Sequence, residues 1–185
     1  LGARPQFIKA SILSKLFKSS SDFKETIVHT GQHYDFTMSQ IFFQELKIPK
    51  PHFNLGVQSK LHGAMTAKML IKIEKLLIKI RPDFTIVYGD TNSTLAGALA
   101  SRKLNIPVIH IEAGLRSFNP NMPEEVNRIL TDHSSTYLFT PSKLASFQLL
   151  KENFHKDNIF NVGDTMLDVY LNHKPQIKKI SKKKF

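Results

Sequence analysis

Two kinds of segment alternate along this chain. Short apolar runs rich in Val, Ile, Phe and Tyr occupy residues 26–29, 84–89, 107–112, 136–140 and 159–163, with a weaker one at 52–55. Each has the length and composition of a buried strand. Between them lie helical periods. Phe7, Ile8, Ile12, Leu13, Leu16 and Phe17 fall on one face of a first helix. Met69, Ile73, Leu76 and Ile80 form a second stripe, opposite Lys68, Lys72, Lys75 and Lys79. Leu144, Phe147, Leu149 and Leu150 mark a third. These stripes are expected to be core. Strands without alternation are covered on both faces, which means a parallel sheet between helix layers. The order of strands and helices gives the same α/β answer.

One strand is missing from the pattern. Gly2-Ala3-Arg4-Pro5 has the character of a strand-to-helix turn, yet only Leu1 precedes it. The expected first strand therefore lies upstream of Leu1. Residues 1–171 read as one Rossmann-like domain, and 172–185 as a Lys-rich linker or frayed tail where periodicity stops.

Composition narrows the chemistry. With 41% hydrophobic and 22% charged residues, the 185-residue chain is globular rather than disordered. There is no Cys, which removes thiolate metal sites, disulfides and Cys nucleophiles. No apolar run reaches the roughly 20 residues of a membrane helix, and no secretion leader is expected. The net charge of +11 includes six lysines between Lys174 and Lys184, and without them it is +5. That suits a protein that handles anions, not a nucleic-acid face. The eight His show no His-Glu-x-x-His spacing, so no metal is expected. Gly-x-Gly-x-x-Gly, a Walker A loop and Gly-x-Ser-x-Gly are all missing.

In an open parallel sheet, ligands bind beyond the carboxyl ends of the strands. The residues there are small, polar or charged at six successive turns, among them Gly2–Pro5, Thr30–His33, Gly89–Ser93 and Glu112–Arg116. Arg4 and Lys9 either hold an anion at a helix start or are two surface cations. Asp90 either caps the following helix or faces the site. Glu112 ends a strongly apolar strand, where a desolvated carboxyl suits general acid–base work. His110, inside the same strand, reads as a satisfied core histidine. Glu124 opens a helix after a loop that begins at Arg116, so it can fold back over the same edge. Asp90, Glu112 and Glu124 would then share a site with Arg4, Lys9 and Arg116. Crowded carboxylates divide into acid and base, and the cations suit a phosphate-bearing leaving group.

Six segments now form a recognisable series. They are Gly2-Ala3-Arg4-Pro5-Gln6-Phe7-Ile8-Lys9, Thr30-Gly31-Gln32-His33-Tyr34-Asp35, Val87-Tyr88-Gly89-Asp90-Thr91-Asn92-Ser93-Thr94, His110-Ile111-Glu112-Ala113-Gly114-Leu115-Arg116, Pro123-Glu124-Glu125-Val126-Asn127-Arg128 and Val162-Gly163-Asp164-Thr165. In this order the chain resembles the non-hydrolysing UDP-N-acetylglucosamine 2-epimerases, up to about Tyr170. The resemblance implies the N-terminal half of a glycosyltransferase-B-type two-domain fold. It implies C2 epimerisation of a UDP-sugar by elimination and re-addition of UDP, for surface polysaccharide precursors, in the cytoplasm. It needs no cofactor and involves no nucleic acid or membrane; the complete protein would be a homodimer. Asp90, Glu112 and Glu124 match acid–base carboxylate positions, and Arg4 and Lys9 match substrate- and phosphate-contacting ones. Gln32 and His33 match a motif that binds a regulatory UDP-sugar in some relatives. The C-terminal domain, with its catalytic His, is absent from this sequence, so the chain alone is expected to be inactive. Ser117-Phe118-Asn119 and Val162-Gly163-Asp164 look closer to the diacetamido-uronic acid branch, which leaves the sugar open. A sugar transferase of the same architecture and an inactive UDP-sugar-binding fragment are the alternatives.

Overall fold

The structure is a computed structural model that describes residues 1–32 and 49–181, the side chains of Arg4 and 176–181 excepted. In chain order it contains α1 (Arg4–Ser19), β1 (Val28–His29), β2 (Phe53–Asn54), α2 (His62–Ile80), β3 (Thr85–Tyr88), α3 (Asn92–Lys103), β4 (Val108–Ile111), α4 (Pro123–Ser134), β5 (Tyr137–Thr140), α5 (Lys143–Lys151), β6 (Ile159–Asn161) and α6 (Thr165–Ser181). All six strands among the described residues fall inside the apolar runs of the sequence.

Strands β3, β4, β5 and β6 form a parallel sheet in sequential order, and β1 pairs with β2, also in parallel. Leu1 lies beside β1. Its amino group donates to the Val28 carbonyl, and the Thr30 N–H donates to the Leu1 carbonyl, both at 2.8 Å. Its side chain packs on Ala10, Tyr88 and Ile111, so it ties β1 to the core of the larger sheet.

The register makes Val87 the partner of His110, and Tyr88 the partner of Ile111. Successive residues point to opposite faces. Val87 and Val108 therefore pack on Ala98 of α3, while Tyr88 and Ile111 pack on Ala10 of α1. Helix layers on both sides explain why the strands lack alternation. A third cluster joins Met69, Ile73 and Leu77 of α2 to Ala96 and Ala100 of α3. Small residues on α3 let the helices approach; a Cβ on Gly97 would lie only 3.2 Å from Val87. Full burial of a side chain such as Met69 contributes about 1.5–3 kcal/mol.

Two helix faces differ from the expected stripes. In α1 the buried face is Gln6, Phe7, Ala10, Ser11 and Ser14, while Leu16 is exposed. Polar residues occupy that face because each has a partner: Ser14 donates to Glu25 at 2.6 Å, and Ser11 to the Ile8 carbonyl. In α5, Ala145 and Leu149 are buried, whereas Leu144 is 76% exposed and Phe147 and Leu150 are also outside the core. A small residue is needed on the inner face because Gly114 presses against the Ala145 backbone. Segment 172–185, expected as a Lys-rich linker or frayed tail, is helical as far as Ser181 and includes Pro175 within α6. No described helix is long and apolar enough to cross a membrane.

Candidate active site

The turn after β3 is fixed from three directions. The Tyr88 carbonyl accepts from Gln6 Nε2 of α1 at 2.8 Å and from the Thr94 hydroxyl at 2.6 Å. The Gly89 carbonyl faces His110 Nε2 of β4 at 2.8 Å. The Asp90 carbonyl accepts from Asn127 Nδ2 of α4 at 2.9 Å. Gly89 takes φ 65°, where a side chain would be strained. The cap of α3 is Thr91, whose hydroxyl accepts from the Thr94 N–H, so Asp90 does not do that job. Its carboxylate instead pairs with Arg128 at 2.6 Å and remains partly exposed.

Glu112 follows β4 with φ 76°, a left-handed conformation uncommon for a side-chain-bearing residue. Both its N–H and that of Ala113 donate to the Phe139 carbonyl, which holds this turn to β5. Strain of this kind persists only where the surroundings enforce it, and it concentrates at functional sites. The Glu112 carboxylate is ion-paired with the nearly buried Lys9 ammonium. The pair sits against Gly89. It does not line the cavity that Asp90 and Glu124 share.

That cavity has a volume of about 190 Å³. Ala3 and Pro5 at the start of α1 line it, with Gln32, Asp90, Asn92, Glu124 and Asn127. A second recess of about 150 Å³ continues past Gln32 to Lys60 and His62. Gln32 Oε1 accepts from the N–H and hydroxyl of Ser93 at 3.1 and 2.7 Å. His33 lies outside the described residues, as does the side chain of Arg4. The N–H groups of Gly2 and Ala3 do not point at an open anion site. Both donate to Gln6 Oε1, at 2.6 and 3.1 Å. Gly2 is required there, since a Cβ would collide with Ser93 and Thr30.

Adjacent acids at the start of α4 have different surroundings. Glu124 faces the cavity. Glu125 is buried and accepts from the Ser117 N–H and hydroxyl and the Phe118 N–H, each at 2.9 Å, and from Arg128 at 2.8 Å. Burial alone would push its carboxyl up; these donors outweigh it and bring it down to about 2. Arg128 thus bridges Glu125 and Asp90. Glu125→Gln should cost about 2–3 kcal/mol, because bonds to charged groups are worth about 1.5–3 kcal/mol. Since the folded-state value lies below the ordinary 4.5, Glu125 stabilises the fold above about 4.5 and loses this as pH falls toward 2. Urea titrations between pH 7 and pH 3 should show the gap between wild type and variant closing with acid; a constant gap would mean that the charge contributes nothing.

Arg116, expected at the substrate, is placed elsewhere. Its side chain is 3% exposed, pairing with Asp132 at 2.7 Å and with both Glu152 oxygens at 2.8 and 2.6 Å. Asp132 also accepts from the Gly114 N–H and faces His110 Nδ1 at 2.6 Å. A planar fork among carboxylates from two helices is better suited to joining α4 and α5 than to a mobile ligand. The buried His110 is satisfied, as expected. The roles of Gln6, Asn127, Arg128 and Asp132 were not foreseen; the only sequence signal for them is their position within or beside the six segments that carry the family resemblance.

The fold and this edge define a Rossmann-like α/β domain of the glycosyltransferase-B type, with paired acids and cations beyond its strand ends. The chain belongs to the UDP-N-acetylglucosamine 2-epimerase family, which matches residues 15–185. It is 56% identical over 185 residues to a UDP-N-acetylglucosamine 2-epimerase homolog of Methanococcus maripaludis, covering 100% of this chain and 50% of that protein. It is 55% identical over 170 residues to the UDP-2,3-diacetamido-2,3-dideoxy-D-glucuronate 2-epimerase of Pseudomonas aeruginosa, covering 91% and 48%. Among solved structures, the UDP-GlcNAc 2-epimerase of Methanocaldococcus jannaschii, in complex with UDP-GlcNAc and UDP, superposes with a TM-score of 0.91 at 50% identity, covering 93% of this chain and 47% of that one. The chain spans about half the length of the curated relatives it matches.

Proposed function

We propose that this chain supplies one wall of a UDP-sugar 2-epimerase site. The observation that carries the reading is the Asp90–Glu124 cavity beside the Glu112–Lys9 pair, at the carboxyl edge of a family domain. One carboxylate takes the proton from C2. The C1–O bond to the β-phosphate breaks, its electron pair leaves on UDP, and C1 and C2 become doubly bonded. A proton then returns to C2 from the opposite face, and a UDP oxygen returns to C1. Nothing is oxidised, so the reaction needs no redox cofactor. Lys9, and Arg4 at the helix start, would hold the departing pyrophosphate.

A UDP-sugar needs a pocket of roughly 300 Å³ or more. The cavity of about 190 Å³ is smaller, which suits one wall of a cleft completed by a second domain. Either UDP-N-acetylglucosamine or its diacetamido-uronic relative fits this reading, since relatives named for both match the chain equally well. A homodimer, a cytoplasmic location and a regulatory UDP-sugar near Gln32 and His33 belong to the same proposal.

The test is solvent exchange. The complete protein incubated with each UDP-sugar in heavy water should place deuterium at C2 of both epimers. Transfer of the sugar to an acceptor without exchange would favour a transferase and sink the epimerase reading. Lys9→Ala should weaken binding of UDP itself by about 10- to 100-fold, the range of a lost charged hydrogen bond. Calorimetry at fixed ionic strength measures it, and unchanged UDP affinity would move Lys9 from the pyrophosphate to the sugar.

A further inference from the structure

His110 has no part in the chemistry described so far, yet its surroundings are unusual. The ring is 0% exposed. Nδ1 lies 2.6 Å from Asp132 Oδ1, and Nε2 lies 2.8 Å from the Gly89 carbonyl oxygen. Both partners are acceptors only. A neutral imidazole has one N–H and would turn a lone pair on one of them. Two such bonds therefore need two ring protons. The charge balance agrees. Arg116, Asp132 and Glu152 carry one positive and two negative charges in a largely buried cluster, and a cationic His110 brings it to neutrality. The Lys9–Glu112 pair, on the far side of Gly89, is balanced by itself.

We propose that His110 is a positioning residue, held as a buried imidazolium between Asp132 and the Gly89 carbonyl, which together with Asn127 and Arg128 sets the place of Asp90. This rests on the epimerase reading for its catalytic consequence, but not for its structural part. The route is short. Asp90 follows Gly89 directly, and Gly89 has no side chain of its own to anchor the turn. Asp132 reaches the same network on its other oxygen through Arg116 and the Gly114 N–H. One carboxylate on α4 thereby references both the Asp90 turn and the turn that carries Glu112. A displacement of about 1 Å in a reacting group can cost about a hundredfold in rate.

Two substitutions separate the two bonds. His110→Gln places an amide near the position of Nε2 and keeps the Gly89 bond. His110→Asn places one near Nδ1 and keeps only the Asp132 bond. In the complete protein, the Asn variant should lose about 10- to 100-fold in kcat with KM for UDP-N-acetylglucosamine within about threefold. The Gln variant should stay within about fivefold of wild type, although both variants lose the charge and some stability. Equal kcat for the two would overturn the proposal, because a purely structural role would not distinguish them. If the Asn variant does not fold, the Gln variant decides alone, and a hundredfold loss there overturns it. Independently of turnover, nitrogen-15 spectra of the 185-residue chain at pH 7 should show protons on both ring nitrogens of His110. A nitrogen with a free lone pair would overturn the imidazolium. A wild-type protein without epimerase activity would sink the epimerase reading and leave the spectroscopic result standing.

Discussion

Glu112→Gln in the complete protein is expected to lower kcat by about a hundredfold or more, the scale of a positioned acid–base group. The substitution keeps the size of the side chain and the φ of 76°, so the turn against Phe139 should persist. What it removes is the charge that faces Lys9. The two consequences are separable. Loss of the proton acceptor reduces kcat. Release of Lys9 from its partner leaves that ammonium free for the pyrophosphate, so affinity for UDP should hold or improve. Steady-state kinetics with deuterium exchange at C2, together with calorimetry on UDP, give both numbers. Near-normal turnover would remove Glu112 from the chemistry and leave the proton transfer to Asp90 and Glu124, which line the cavity. A large rise in KM with unchanged kcat would instead give Glu112 a binding role.

The strands and the parallel sheet were legible because apolar runs between helical periods have few other solutions. The helix faces were less so. Counting large apolar residues on α5 selects Leu144, Phe147, Leu149 and Leu150, but of these only Leu149 is buried, and it is joined by Ala145, where Gly114 approaches closely. In α1 the inner face is partly polar because Gln6 and Ser14 carry specific hydrogen bonds, which hydrophobic spacing cannot register. At the site, the carboxyl-edge rule brought Asp90 and Glu124 to one cavity. Which acids and cations pair was not readable. Lys9 meets Glu112, Arg128 meets Asp90 and Arg116 meets Asp132, and only folding sets those distances. Glu124 and Glu125 show the limit most clearly. As neighbours in sequence they look interchangeable, yet one lines the cavity and the other is enclosed by the Ser117–Phe118 loop.

Gly114→Ala should be the most damaging small substitution to the fold. Gly114 takes φ 78°, and a Cβ there would lie 2.4 Å from the Ala145 carbonyl oxygen and 2.9 Å from Leu149 Cγ. The first contact is with backbone, so no rotamer relieves it. Strain at positive φ costs about 1–2 kcal/mol, and overpacking about 1–3 kcal/mol more. For a chain of this size the sum corresponds to a fall in Tm of about 5–15 °C. Gly163→Ala is the control. Its φ of 87° imposes the same backbone strain, but nothing lies within 4 Å of the added Cβ, so only the smaller loss is expected. Thermal melts of the two variants should therefore differ by the packing term alone. The difference also has a functional side. Pushing α5 away from Gly114 pulls on the N–H that Asp132 accepts, and Asp132 is the anchor of His110 behind the Asp90 turn. Equal melting temperatures for the two variants would mean that α5 yields without cost, and the close contact between Gly114 and Ala145 would then not be what fixes the inner face of that helix.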